Sequence, residues 1–399
     1  MTERLYYHNS YLREFDARVI SCEPEGDRWK VVLDRTAFYP TSGGQPHDTG
    51  KLGDVAIIEV ADGEDHKVIH YAPAPVAPGP VRGQIDWTRR LDHMQQHTGQ
   101  HLLSAAFVEL FQFPTVSFHL GTETSTIDLQ APLVGAQHLE RAEKRTNEII
   151  LEDRVISIRF GTAEELAKAG IRKQVEREGV LRAIEVESFD RQPCGGTHLA
   201  RTGQAGMLLV RRTERRRESW RVDFVCGYRA LSVARGDHTT LEKAAGLLGC
   251  GLPEVPTVLA KIVEDRRAQH AAVKRLEEQL AEHESRALLS ATKASTPDGV
   301  RNIVAVLDSA SASYLGLVAA KLAAESKVIA LLVSRSTGNV VFAQSAGGDR
   351  DMGVLMRRIL EEFGGKGGGS RDFAQGSLLQ LHRIDALLSA LQTIARLSD

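Results

Sequence analysis

His97-Thr98-Gly99-Gln100-His101, inside the longer run from Asp92 to Phe107 (Asp92-His93-Met94-Gln95-Gln96 before it, Leu102-Leu103-Ser104-Ala105-Ala106-Phe107 after it), is the stretch from which the rest of the chain can be read. A helix advances about 100° per residue, so two histidines four residues apart project within roughly 40° of each other and share one side. Leu91, Met94, Thr98, Leu102 and Ala105 fall on the adjoining sector, which predicts a histidine pair at the edge of a buried stripe, beside a cleft. Far downstream, Pro193-Cys194-Gly195-Gly196-Thr197-His198 carries a thiol and a further imidazole on a segment that two glycines allow to turn tightly. Nitrogen and sulfur donors of this kind suit Zn2+ rather than the oxygen-seeking Mg2+ or Ca2+. The expectation is therefore one Zn2+ per chain, held by His97, His101, Cys194 and His198. Its competitors are two core histidines and a glycine turn that happens to carry a cysteine.

A chain of 399 residues, 42% hydrophobic and 26% charged, has room for two or three domains with real cores. The formal net charge of −2 excludes a global basic signature, so any contact with nucleic acid must come from local patches. Cys22, Cys194, Cys226 and Cys250 are too few and too scattered for a disulfide framework, which fits a reducing compartment. With no signal-like start and no apolar run of membrane length, a cytoplasmic protein without a membrane partner is expected.

The pattern along the chain predicts an α+β multidomain protein. Residues 1–88 read as a β-barrel-like domain, with strand-like runs at 17–22, 29–34 and 55–60 and a glycine turn in Phe38-Tyr39-Pro40-Thr41-Ser42-Gly43-Gly44-Gln45. Residues 89–240 read as an α+β zinc domain containing the histidine helix, a hairpin from Val116 to Leu129, a helix over 138–151 and a strand at 184–186. Between Arg211 and Arg221 stand six arginines against Glu214 and Glu218, either a phosphate-binding surface or a solvated hairpin tip. Residues 241–294 read as a helical connector with Leu259, Ile262, Val273, Leu276, Leu280 and Ala287 near heptad spacing, a candidate coiled coil. Ser295-Thr296-Pro297-Asp298-Gly299 marks the boundary to an α/β domain over 295–399. That domain contains Gly364-Gly365-Lys366-Gly367-Gly368-Gly369, read as a loop that either hugs phosphate or is simply flexible.

Four motifs in this order, the glycine turn at 38–45, His97 to Leu103, Cys194 to His198 and the glycine run at 364–369, resemble the editing and C-terminal portions of alanyl-tRNA synthetase. The chain resembles the free-standing alanyl-tRNA editing proteins in their long form. By that resemblance it lacks the synthetase's class II aminoacylation domain, and it is expected to hydrolyse rather than charge. Phosphoesterases that share the C-terminal domain carry Asp-His-His, whereas Asp92-His93-Met94 and Asp65-His66-Lys67 depart from it.

The resemblance implies an aminoacyl-tRNA deacylase acting on tRNA(Ala) mischarged with serine or glycine, with the four zinc ligands as above. His119 and Gln45 are the candidates for activating water, and Thr126, Thr41 and Ser117 for a polar partner to the serine hydroxyl. The turn Thr41-Ser42-Gly43-Gly44 is expected to line the pocket, and Arg215, Arg216, Arg217 and Lys366 to contact tRNA. Because four protein ligands normally mark a structural zinc, the alternative is a zinc-stabilised RNA-binding module without turnover. A homodimer through the connector or the C-terminal domain is a further expectation.

Overall fold

The computed structural model describes residues 1–168, 170–171, 179–294 and 299–396. They form two compact units, Met1–Lys243 and Ala244–Asp399.

The first unit opens with alternating strands, β1 (Glu14–Glu25), β2 (Arg28–Leu33), β3 (Gly50–Leu52), β4 (Val55–Ile57), β5 (Glu59–Asp62), β6 (Val68–Ala72) and β7 (Gly79–Ile85). All pair antiparallel in the order β4-β3-β7-β1-β2-β6-β5. The two ends of that order, β4 and β5, are neighbouring halves of one chain segment, and Ile58 N–H between them bonds Tyr71 O of β6. The sheet therefore curls back on itself as a nearly closed barrel, with Val19, Val31, Leu33, Val60, Val68 and Ala72 inside it.

The long helix α1 (Trp87–Phe111) follows directly, started by Asp86, whose side chain caps Arg89 N, and stopped at Gln112 in a left-handed conformation. Next come the hairpin β8 (Thr115–Leu120) and β9 (Ser125–Leu129), the helix α2 (Ala136–Leu151), and β10 (Ile156–Gly161), β11 (Leu181–Val186) and β12 (Asp190–Pro193) as a three-stranded antiparallel sheet. A second hairpin, β13 (Leu208–Arg215) and β14 (Trp220–Cys226), joins the first in a four-stranded sheet ordered β8-β9-β14-β13. Its inner face, with Ile127, Leu129, Val222 and Phe224, packs with Met94, Leu102, Leu103 and Phe107 of α1 and Ile149 and Ile150 of α2 in one core. The predicted partition at residue 88 cuts through a single unit. Arg90 of α1 is fully buried among barrel residues, donating to Asp48 and to the carbonyls of Ser10 at 2.8 Å and Ala37 at 2.6 Å.

Helix α3 (Tyr228–Leu248) leads to the second unit, which contains α4 (Val255–Ala291), β15 (Arg301–Val306), α5 (Ala312–Ala324), β16 (Val328–Val333), β17 (Asn339–Gln344), α6 (Met352–Phe363), β18 (Gly365–Gly369), β19 (Phe373–Leu378) and α7 (Ile384–Arg396). The strands make one five-stranded sheet ordered β15-β16-β17-β19-β18, parallel only between β15 and β16, which α5 connects. The predicted connector is part of this unit, because Ala281 of α4 enters the core with α5, and Glu282 and Glu284 bond Lys321 at 2.8 Å and Tyr314 at 2.7 Å. Of the predicted boundary segment, residues 295–298 lie outside the described residues. No single helix among the described residues is long and apolar enough to cross a membrane.

The glycine run 364–369 is not a loop. It forms the edge strand β18, and a Cβ at Gly365, Gly367 or Gly369 would meet a carbonyl oxygen of β19 at 2.2–2.6 Å, with Leu360 of α6 pressing on Gly365 and Gly367. Close packing of strand against strand and helix accounts for the glycines.

Candidate metal centre

His97 and His101 lie one turn apart on α1, and their rings meet the ring of His198 at centroid distances of 4.3 Å and 4.5 Å. The donor atoms of His97, His101, Cys194 and His198 all lie within 4.8 Å of one another. Cys194 Sγ is 3.5 Å from His97 Nε2 and 3.3 Å from His198 Nε2. Bonds of about 2.0–2.3 Å in a tetrahedron separate neighbouring ligands by roughly 3.3–3.8 Å, so the two Cys194 spacings match edges of a tetrahedral shell. The expectation of a stripe edge fails, since α1 is buried on all sides from His93 to Phe107. Several of its polar residues are accommodated by specific partners, as when Gln96 spans the backbone of Cys226 in both directions.

The β11–β12 hairpin delivers Cys194, whose N–H donates to Arg182 O at 3.0 Å. The buried Arg182 guanidinium donates to the carbonyls of Cys194 at 2.6 Å, Gly196 at 2.9 Å and Tyr7 at 2.9 Å, which fixes the loop's path. Neither Gly195 nor Gly196 has a positive φ. Gly196 is required by contact instead, because a Cβ there would lie 2.2 Å from His97 Cε1. Burial alone would raise the Cys194 thiol, yet the imidazoles of His97 and His198 beside it hold it well below its ordinary range. Burial would lower His101, but Asp190, 3.7 Å from its Nδ1, and Cys194 carry it up to about 9. A group of nitrogen donors around a thiol biased toward thiolate is the chemistry a soft divalent ion requires. The residues present fit a metal.

Around the donors stand supports that sequence reasoning missed. Thr98 Oγ1 accepts from Leu199 N at 3.2 Å and touches His198 Nδ1 at 3.3 Å, and Phe118 stacks on the His97 ring at 5.2 Å. Thr197, Arg182 and Asp190 complete the set. Thr197 sits within the quoted motif, and Arg182 and Asp190 precede it on the same hairpin, but only the folded loop shows what they bond.

The other predicted site residues divide into groups. Gln45 is fully buried, with its oxygen 2.8 Å from His97 Nδ1 and its nitrogen donating to Thr197 Oγ1 at 2.9 Å, so both ends of its amide are engaged. His119 is exposed, and the alternation of β8 that turns Phe118 toward His97 turns His119 to the opposite face. Thr126 pairs with His119 across the hairpin and shares that outer face. Ser117 bonds Asp128, which also takes Arg221 at 2.7 Å, again away from the donors. Of the residues expected at the substrate, Gln45 thus bonds two residues of the centre, while His119, Thr126 and Ser117 lie on the outer face of their sheet. Spacing in sequence does not tell which face of a strand a residue takes.

Thr41 is tied to His47 through ring and backbone at 3.0 Å and 3.1 Å, while Ser42, Gly43 and Gly44 form an exposed turn whose Gly44 lies against Phe118. The arginine run is largely neutralised: Arg211 pairs with Asp237 at 2.6 Å, Arg212 with Asp223 at 2.9 Å, Arg216 with Glu214 and Arg221 with Asp128. Among the described residues only Arg215 and Arg217 of the run lack an acidic partner. Lys366 is exposed on β18 of the other unit.

Two family models match the chain, the "Threonyl and Alanyl tRNA synthetase second additional domain" over residues 181–222, which include Cys194 and His198, and the "DHHA1 domain" over residues 299–397. The alanine–tRNA ligase of Pyrococcus abyssi is 29% identical over 99% of this chain and 44% of its own length. An alanyl-tRNA editing protein of Mus musculus, Aarsd1, is 27% identical over 95% of both chains. The alanyl-tRNA editing protein AlaX-L of Pyrococcus horikoshii is 31% identical over 94% of this chain and 94% of its own. With that identity running through both units, the chain belongs to the alanyl-tRNA editing protein family.

Proposed function

We propose that this protein is a trans-editing hydrolase that removes the amino acid from mischarged tRNA(Ala), acting in a Zn2+-dependent way on Ser-tRNA(Ala) and also on Gly-tRNA(Ala). The reading is carried by the convergence of His97, His101, Cys194 and His198 in a chain that aligns over 94% of its length with an alanyl-tRNA editing protein. Zn2+ in such a set supplies Lewis acidity toward an ester carbonyl or water. The rest falls to the chain's own residues. Helix α1 and the 194–198 loop hold the donors at short range, and Phe118 covers one face of His97. The exposed turn Ser42-Gly43-Gly44 leads into Gln45 and so borders the centre, which makes it the favoured approach for an aminoacyl end. Ser42 Oγ, without a partner among the described residues, is the favoured contact for a serine hydroxyl, a hydrogen bond that alanine cannot form. Arg215 and Arg217 are the candidates for phosphate contact in the first unit, and the unit from residue 244 onward, with Lys366, for affinity toward the body of the tRNA.

One observation favours a rival. Four protein donors would fill a four-coordinate shell, the usual arrangement of a structural zinc, and that suits a zinc-stabilised RNA-binding module without turnover. Incubating substoichiometric protein with preformed Ser-tRNA(Ala) and Ala-tRNA(Ala) separates the two. The hydrolase releases serine many times over per chain and leaves alanine largely attached. Binding without serine release selects the rival.

A further inference from the structure

Gln45 follows the exposed turn of the barrel and lies fully buried between the helix and the loop that carry the candidate ligands. Its side-chain oxygen receives the Thr197 backbone nitrogen at 3.2 Å and His97 Nδ1 at 2.8 Å. A backbone N–H can only donate, so the atom facing Thr197 N is the amide oxygen, and the orientation of this amide has one solution. An amide oxygen can only accept, so His97 Nδ1 carries a proton. The lone pair of the neutral ring then sits on Nε2, the atom 3.5 Å from Cys194 Sγ.

We propose that Gln45 is a positioning residue for the metal centre, which selects the Nδ1–H tautomer of His97 and ties the Cys194–His198 loop, through Thr197, to the same oxygen. The proposal rests on the metal reading above. Gln45 thus joins the three separate parts of the centre. The barrel supplies the acceptor, α1 supplies His97, and the loop supplies Thr197 from between its two ligands. The loop packs closely on the Gln45 oxygen, since a Cβ on Gly196 would come within 2.9 Å of it. A side chain without an acceptor would free the His97 ring to adopt the other tautomer, whose Nε2–H cannot bind a metal. A carboxylate at the same place keeps both acceptor interactions, and the Thr197 hydroxyl can reverse to donate to it.

The test uses the full chain as Gln45→Leu, Gln45→Glu and the unsubstituted protein. Zn2+ affinity is measured by competition with a chromophoric chelator, alongside ring 15N spectra of the histidines. The proposal expects the Leu variant to bind Zn2+ about 10- to 100-fold more weakly and the Glu variant to stay near the unsubstituted protein. In the zinc-loaded unsubstituted protein the His97 ring should show a proton on Nδ1, and the Glu variant should retain it. Equal affinity in the Leu variant overturns the proposal, as does a Glu variant as weak as Leu. A His97 ring protonated on Nε2 in the unsubstituted protein overturns it as well, even where the Leu variant fails to fold. If the unsubstituted protein holds no Zn2+, the metal reading itself falls and the proposal with it, an outcome distinct from tight binding that is indifferent to Gln45.

Discussion

The two long helices of this protein invert the usual expectation for their side chains. In α1 the stretch His93–Phe107 is buried throughout although it contains three histidines, three glutamines, a threonine and a serine. In α4, of 37 residues, the buried ones are Val255, Ala281 and Ser285, while Val273, Leu276 and Leu280 are 51%, 59% and 57% exposed. Polarity has therefore not decided burial in either. A polar side chain can be buried when its donors and acceptors find partners, and Cys226, Leu199, Gln45 and Asp48 supply many of those on α1, although His93 Nδ1 and His101 Nδ1 make no hydrogen bond. An apolar side chain stays exposed when no element lies over it, whatever its spacing along the helix.

The contrast can be attacked first where its effect is largest. Cys194→Ala removes the thiolate from the donor set, and the expected outcome is a fall from about one zinc per chain to almost none, with serine release lost in parallel. Elemental analysis of the purified variant checks it, and full zinc retention would remove Cys194 from the set. Next in size is Arg90→Leu, which strands the fully buried Asp48 carboxylate and should cost about 3–5 kcal/mol in urea unfolding. A loss below about 1 kcal/mol would mean that the join between α1 and the barrel is not wired as described.

A pH experiment probes the same helix. Burial, with Arg89, Arg229 and Arg90 nearby, pushes His93 down to about 3. The folded protein thus resists protonating this ring, while the unfolded chain takes up a proton near 6.5. The stability associated with a neutral His93 is present above pH 6.5 and is lost as pH falls toward 3. The slope is up to about 1.4 kcal/mol per pH unit, and His93→Gln should remove that part of it. Parallel stability curves for the two proteins between pH 6 and 4 would place His93 in water.

The smallest change belongs to α4. Leu276→Ala on a bare face should shift stability by no more than about 0.5 kcal/mol. A loss of about 2 kcal/mol or more that grows with protein concentration would show the face to be covered by a second copy, as heptad spacing suggests.

Much of the molecule was legible from local pattern. The hairpin from Val116 to Leu129 and the helix over 138–151 both stand close to where alternation and helical period put them. The glycine run at 364–369 reads as a loop yet folds as a strand over 365–369, because a glycine records only that a side chain has no room, and packed strands and phosphate loops leave the same trace. The tie across residue 88 is a related case, because only the fold sets Arg90 of α1 opposite Asp48.

By itself the sequence determined the candidate metal set, because His97 and His101 are joined by helix geometry and Cys194 and His198 by a short loop, both local relations that survive without a fold. It also determined the family, through motifs in fixed order. Only the tertiary structure decided which neighbours serve that set. His119, Thr126 and Ser117 lie close to α1 in sequence yet are turned to the outer face of their sheet, while Gln45, 52 residues before His97, is brought to 2.8 Å from it. Strand alternation and docking of the barrel on α1 made that choice, and both depend on long-range packing that no short segment encodes.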